Sequence, residues 1–272
     1  MNIKNIKRIS LSMLFISFFY GCDFFITETE KKPKYEEIIA FCDMTTSLDS
    51  ASIEKLAKDV QKMIKNVPVN TQINIYPIND NTFTDKIFFI PNKNIDESSN
   101  KGVLTAQNRR KKYIDSVKNI ILTKYKEVNK NAKSEYKSCI ISSLETVFDI
   151  VKTKKNKENV HVVFFSDMIE QCEISQVGKM YMCSSERNPK KDDLIQQVQE
   201  KYTPNFNLKE LVDNRITVII STNLKQQDRC LQEFERKEIW KEVFKKVGYS
   251  DKDFTSFHFN QNSRDDWSTL GK

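Results

Sequence analysis

A carboxylate and two hydroxyls stand at alternate positions just after one of the apolar runs of the sequence. The run ends at Cys42, and the residues that follow include Asp43, Thr45 and Ser47, with one residue between each. In a turn from a strand to a helix, three such side chains can face a common centre. They offer hard oxygen ligands, which suit Mg²⁺ or Mn²⁺ and do not suit zinc. The spacing therefore predicts a site for one divalent cation at this turn.

A second apolar run also ends in an acid. Residues 160–165 form the strongest strand pattern of the chain, and Ser166 and Asp167 follow it directly. The carboxyl ends of parallel strands meet at one edge of an open sheet, which is where such sheets bind ligands. We therefore expect Asp167 to lie near Asp43.

The elements that must position these acids alternate between two periodicities. Strand patterns occur at 35–42, 72–78, 86–90, 160–165, 216–220 and 254–259, and helical patterns at 53–67, 113–128, 140–151, 192–202 and 231–247. This alternation predicts one α/β domain, a doubly wound and mostly parallel sheet flanked by helices. Residues 72–78 and 86–90 are close enough in sequence to form a hairpin, which predicts one antiparallel strand at the edge. Residues 168–189 are predicted to be irregular.

The composition excludes several classes of protein. The chain of 272 residues has only five glycines, widely separated, so neither a dinucleotide-binding glycine motif nor a P-loop can be present. Two histidines exclude a multi-histidine metal site. The net charge is +7, and the basic run at 109–112 lies in a helical pattern, where a solvated face is expected. Nucleic acid is therefore not an expected partner.

The first residues have the pattern of an export signal. Lys4, Lys7 and Arg8 precede a short apolar run, residues 9–20, that is too short to span a bilayer. Gly21 and Cys22 follow, which resembles the lipobox of bacterial lipoproteins, in which the cysteine is acylated. We expect a signal peptide at 1–21, lipidation of Cys22 and a tether at 22–34. An ordinary cleaved signal with a chance cysteine is the alternative.

Five cysteines remain after Cys22. An exported compartment permits disulfides, and an odd number leaves at least one thiol free. Cys172 and Cys183 bracket a short loop and are the expected pair. The alternative is that all five are reduced and pack as small apolar side chains.

Three motifs together resemble the metal-ion-dependent adhesion site of von Willebrand factor A domains. Asp43-x-Thr45-x-Ser47 is similar to the family's Asp-x-Ser-x-Ser, Ser138 followed by Ser143-Leu144 stands in the place of its threonine, and Ser166-Asp167-Met168 is similar to its Thr-Asp-Gly. The order of elements also agrees from about residue 35 to 259. The resemblance implies such a domain over 35–259, followed by a polar tail at 260–272.

The resemblance also implies roles for these residues. Thr45 and Ser47 would bind the ion directly, and Asp43, Ser138 and Asp167 would bind it directly or through water. A carboxylate of a partner protein would complete the coordination, with no bond made or broken, so the protein would not be an enzyme. Because of the lipid anchor predicted at Cys22, it would act at the exported face of the cell membrane or outer membrane, in the periplasm or at the cell surface.

Two residues depart from the family's pattern. Ser138 replaces a threonine but keeps the hydroxyl. Met168 replaces a glycine, so we expect the backbone there to be less free to approach a metal. The long stretch at 168–189 is a candidate to flank the site and to contact the ligand.

Other interpretations of the same residues remain open. An acid followed by threonine and serine can simply cap a helix, through Thr46, Ser47 or Asp49. The segment from Asp43 to Ser47 also resembles the nucleophilic segment of haloacid dehalogenase-type phosphatases, in which Asp43 would accept a phosphoryl group beside Mg²⁺. A third possibility is the same fold without a metal, as a scaffold.

Overall fold

The computed structural model describes eleven segments of the chain, namely residues 37–45, 48–69, 71–78, 86–91, 100–130, 137–154, 160–174, 176–183, 189–211, 215–219 and 230–250. The chain divides into two units between Lys34 and Tyr35, and every described residue belongs to the second. The predicted signal peptide, Cys22, the tether, the strand at 254–259 and the tail lie outside the described residues.

Strands and helices alternate along these segments. The strands are β1 (Glu37–Asp43), β2 (Gln72–Ile78), β3 (Phe88–Ile90), β4 (Val160–Phe165), β5 (Glu173–Ile174), β6 (Gly178–Lys179) and β7 (Arg215–Ile219). The helices are α1 (Ser50–Asn66), α2 (Asn100–Lys130), α3 (Ile140–Lys152), α4 (Lys191–Lys201) and α5 (Glu233–Lys246), with a 3₁₀ turn at Leu208–Glu210.

Five of the strands form one sheet in the order β3-β2-β1-β4-β7. All neighbours in it are parallel except β3, which runs antiparallel to β2 at one edge. Cys42 near the end of β1 is paired with Phe165 at the end of β4. The predicted mostly parallel sheet with one antiparallel edge strand is therefore confirmed, and it places the two acidic strand ends side by side.

Helices cover both faces of this sheet, as a doubly wound fold requires. Alternate side chains of β1 point to opposite faces: Ile39 and Phe41 pack with α3, α4 and α5, while Ile38 and Ala40 pack with α1 and α2. On the first face, Phe41 stacks on Phe164 of β4 with ring centroids 5.4 Å apart. Because both faces are covered, β1 and β4 are buried along their whole length, which explains their continuous apolar pattern.

The region after β4 differs from the sequence-based prediction. It is not wholly irregular, because β5 and β6 form a small antiparallel hairpin there. No helix within the described ranges is long and apolar enough to cross a bilayer.

The predicted Cys172–Cys183 disulfide is wrong, and so is the alternative of five reduced cysteines. Cys172 bonds to Cys139 just before α3, with Cα atoms 5.1 Å apart. Cys183 bonds to Cys230, and an antiparallel bridge already brings their backbones together. Cysteine spacing along the chain does not show which segments the fold brings into contact, and here each cysteine of the loop faces a distant segment. Cys42 is free and buried.

Candidate metal site

Asp43 ends β1 with a fully buried carboxylate. Its Oδ1 accepts a hydrogen bond from the backbone N–H of Thr45 at 3.1 Å and another from the Thr45 hydroxyl at 2.7 Å. The two-residue spacing seen in the sequence thus folds the chain back on the carboxylate. Asp43 and Thr45 present their oxygens to the same point at the carboxyl edge of the sheet.

Ser138 reaches this point from the segment before α3. Its Oγ lies 3.3 Å from Oδ1 and 3.2 Å from Oδ2 of Asp43, and 3.2 Å from Oγ1 of Thr45. The Ser138 hydroxyl has one hydrogen, so it can donate to only one of these three acceptor oxygens at a time. Carboxylate and hydroxyl oxygens from two distant segments therefore lie in one cluster.

Ser166 is a fourth member that the sequence analysis did not assign to the site. Its hydroxyl donates to Oδ2 of Asp43 at 3.0 Å and accepts a hydrogen bond from the N–H of Met168 at 3.0 Å. The available signal was its position at the end of β4, directly before Asp167. Ser166 connects the two acidic strand ends.

Asp167 is buried at the same edge, beside β1. Its Oδ1 accepts from the N–H of Ile169 at 3.0 Å. Burial, and then the negative charge of Asp43, raise the pKa of Asp167 to about 7, although the Ile169 amide and the Arg236 guanidinium act in the opposite direction. The other predicted ligand, Ser47, lies outside the described residues.

Two buried carboxyl groups therefore share a region with little compensating positive charge. Burial raises the pKa of Asp43 as well, against the hydrogen bonds from Thr45, Ser166 and Ser138 that favour its charged form. Arg236 is itself buried, and burial lowers its pKa. A divalent cation would stabilise both carboxylates in their charged form. The donor set is all oxygen, so these residues fit Mg²⁺ or Mn²⁺.

Helix capping does not account for Asp43. The N-terminus of α1 is capped by Asp49, whose Oδ1 accepts from the N–H of Ser52 at 2.7 Å. One of the three capping residues considered from sequence therefore has this role. Asp43 instead bonds to the hydroxyl cluster.

Met168 adopts the backbone conformation that glycine favours. Its φ is +59°, and its side chain is fully buried. The indole N–H of Trp240 on α5 donates to the Met168 carbonyl at 2.8 Å. The Met168 backbone in this conformation is held by the hydrogen bond that its carbonyl accepts from Trp240 and the one that its N–H donates to Ser166.

Glu170 is a buried acid near the site that was not assigned to it from the sequence. It accepts from the N–H of Ile141 at 2.9 Å, in the first turn of α3, and from the N–H of Cys172 at 3.0 Å. Burial raises the pKa of Glu170 to about 7 against these hydrogen bonds. The N-cap residue of α3, Cys139, makes no side-chain cap hydrogen bond. The Glu170 carboxylate, from a different segment, satisfies an N–H of the first turn instead.

Comparison with known proteins found similarity only at the level of solved structures. No protein-family model matches the sequence, and no curated protein matches it. The SpRpn10 VWA domain is similar with a TM-score of 0.37 and 13% identity, over 87% of this chain and 94% of that one. An aerotolerance-related membrane protein from Bacteroides fragilis has a TM-score of 0.34 and 9% identity, over 81% and 94%.

The class of fold is defined by the sheet. A mostly parallel sheet has helices on both faces, one antiparallel edge strand, and an Asp-x-Thr turn at the end of its central strand. This is an α/β fold of the von Willebrand factor A or Rossmann-like kind.

Proposed function

We propose that this protein is an exported lipoprotein whose von Willebrand factor A-like domain binds a partner protein through one divalent cation. The observation that carries the proposal is the surroundings of the Asp43 carboxylate. It is fully buried, and hydroxyls of Thr45, Ser138 and Ser166 contact it from three segments of the chain. Such a cluster of hard oxygens is the chemistry that Mg²⁺ or Mn²⁺ requires.

The roles of the residues follow from this arrangement. Asp43, Thr45, Ser47, Ser138 and Asp167 would hold the ion, directly or through water. Ser166 orients Asp43 by donating to its Oδ2. The bound ion would supply an open coordination position for a carboxylate of the partner.

We infer that the protein is not an enzyme. In a phosphatase of the haloacid dehalogenase type, Asp43 would have to reach a phosphoryl group. Its side chain is fully buried, and both carboxylate oxygens are occupied by hydrogen bonds. These contacts oppose nucleophilic attack by Asp43.

A thermal unfolding experiment tests the ion-binding part. Mg²⁺ or Mn²⁺ at about 100 times its dissociation constant should stabilise the purified protein by about 2.7 kcal/mol. Asp43→Asn should abolish this effect, whereas Asp149→Asn, an exposed acid on α3, should retain it. A phosphatase assay on the same samples should detect no turnover. Equal stabilisation of both variants, or turnover that Asp43→Asn abolishes, would contradict the proposal.

The anchor is tested separately. Acylation would attach the chain at Cys22 to the exported face of the cell membrane or outer membrane, because buried acyl chains hold a protein at a bilayer. The Cys22→Ser variant should leave the membrane fraction in the host bacterium, while Cys42→Ser should stay in it. If Cys22→Ser stays with the membrane, the lipid anchor is excluded.

A further inference from the structure

Two of the segments that contribute to the candidate site, the one before α3 and the one after β4, are also joined by a disulfide. Ser138 precedes α3, and Asp167 begins the segment that runs to Cys172. Beyond the contacts around Asp43, the disulfide Cys139–Cys172 links them covalently. We call this disulfide, together with Glu170 and Gln171, the clip.

The backbone of Ser138 is held on both sides by Gln171. The N–H of Ser138 donates to Oε1 of Gln171 at 3.0 Å, and the N–H of Gln171 donates to the Ser138 carbonyl at 3.0 Å. The Ser138 side chain meanwhile contacts Asp43. The position of this hydroxyl therefore depends on where the clip holds its backbone.

Glu170 adds a connection through one carboxylate. One of its oxygens accepts from Ile141 in α3, and the other accepts from Cys172. It is buried, so its hydrogen bonds do not compete with bulk water. Glu170 also lies three residues after Asp167, so the clip limits the movement of both Ser138 and Asp167 relative to Asp43.

We propose that the Cys139–Cys172 disulfide is a positioning element for cation binding, so that its reduction weakens the affinity of the site for divalent cations. This inference rests on the function proposed above. Reduction by a dithiol breaks the S–S bond and gives two cysteine thiols. The dithiol supplies the two electrons and two protons and is itself oxidised to a cyclic disulfide. Cys172 is only half-buried, so a small dithiol can reach it.

The second disulfide provides a matched control. Cys139–Cys172 joins residues 33 apart, and Cys183–Cys230 joins residues 47 apart. Loop-closure entropy depends weakly on length, so loss of either bond should affect the unfolded chain similarly. Only the first bond lies next to Ser138, whereas the second reaches the clip indirectly, through Met182, whose Sδ accepts from the Glu170 N–H at 3.4 Å. A difference in ion affinity between the two double variants therefore reports positioning and not general stability.

The test is a calorimetric titration with Mn²⁺ of the full-length protein and of two double variants. Replacing an outer partner of a metal ligand typically weakens binding about 10–100-fold. We expect a weakening of this size for Cys139→Ser/Cys172→Ser and for wild type reduced with dithiothreitol, and near wild-type affinity for Cys183→Ser/Cys230→Ser. Equal affinities in all three proteins, or equal losses in both double variants, would overturn the inference.

A further variant tests the clip without removing the disulfide. If Cys139→Ser/Cys172→Ser does not fold, Gln171→Ala removes the acceptor for the Ser138 N–H while keeping the disulfide. We expect it to weaken Mn²⁺ binding several-fold, and unchanged affinity would overturn the inference. Absence of binding to oxidised wild type would overturn the proposed function and this inference together, whereas binding unaffected by reduction would overturn this inference alone.

Discussion

Ser166 links the end of β1 to the turn after β4 by hydrogen bonds. It donates to Asp43 and accepts from the backbone of Met168. Both partners are buried, so removing the hydroxyl leaves a carboxylate oxygen and an amide with one hydrogen bond fewer. Its role follows from position, because a small polar side chain at this strand end fits between Asp43 and the turn of Met168.

The Ser166→Ala variant should be destabilised by about 1–3 kcal/mol, because buried polar groups lose their partner. Urea unfolding measures this change. Ser116→Ala serves as the control, since that hydroxyl bonds only within α2, to the Tyr113 carbonyl. A loss at Ser166 no larger than at Ser116 would show that the bond to Asp43 contributes little.

Trp240 stabilises the unusual backbone of Met168. A methionine in the left-handed region carries strain of about 1–3 kcal/mol, which the surrounding contacts must offset. Trp240→Phe keeps much of the ring and removes the donor to the Met168 carbonyl. We expect a loss of about 1–3 kcal/mol in the free energy of unfolding, measured with urea. A loss below 0.5 kcal/mol, roughly that of a neutral surface substitution, would mean that the hydrogen bond is dispensable.

Single residues of the site could be predicted from sequence only where a motif marks them. Asp43 and Thr45 follow an apolar run at a fixed spacing, and both lie in the cluster. Ser166 stands in a motif but was not assigned a role from it, and Glu170 stands in none, because the importance of both depends on which segments meet in space. For Glu170, the partner is the first turn of a helix 29 residues earlier in the chain.

At the level of elements, the N-terminus of α3 is capped by a carboxylate from another segment, that of Glu170. Glu170 caps its N-terminus, where a negative charge interacts favourably with the helix dipole. Burial nevertheless raises the pKa of this carboxyl to about 7, well above its usual range. The cap is therefore sensitive to pH.

The sign of this sensitivity follows from proton linkage. A glutamate in the unfolded chain has a pKa of about 4.3, so between about pH 4.5 and 7 the folded protein binds more protons than the unfolded chain. The free energy of unfolding should fall as the pH rises through this window. Glu170→Gln cannot titrate, so the fall should be smaller, and Asp43 and Asp167, whose pKa values are also raised, contribute to the remainder. Urea unfolding of wild type and Glu170→Gln, with chelator, at about pH 5 and 7.5 measures the fall in the free energy of unfolding. A fall of the same size in both proteins would contradict this account.

The disulfides show what element-level prediction misses. The strands of the main sheet and most helices could be predicted within the described residues because each has its own periodicity, but α2 begins at Asn100, well before the pattern predicted at 113–128. The pairing of Cys139 with Cys172 depends on the contact between the start of α3 and the end of the segment after β4. A loop flanked by two cysteines suggested a local bond, but here the β5–β6 hairpin lies between them, and the chain then pairs Cys183 with Cys230.

At the scale of the whole molecule, the sheet determines where the site lies. The central pair β1 and β4 is parallel, so their carboxyl ends meet and bring Asp43 and the Ser166–Asp167 pair together. The sequence predicted the parallel sheet and its edge hairpin, because apolar runs alternate with amphipathic helices. The position of Ser138 beside Asp43 could be expected only from the family resemblance, since it requires α3 to begin at the same edge.

The most direct test of the central claim is a calorimetric titration of the chelator-treated, oxidised protein with Mn²⁺, comparing wild type with Asp43→Asn and Asp149→Asn. The account predicts that wild type and Asp149→Asn bind one ion per chain and that Asp43→Asn binds none at the same concentrations. Wild type that binds no ion, or Asp43→Asn that binds like wild type, would contradict a cation site at Asp43.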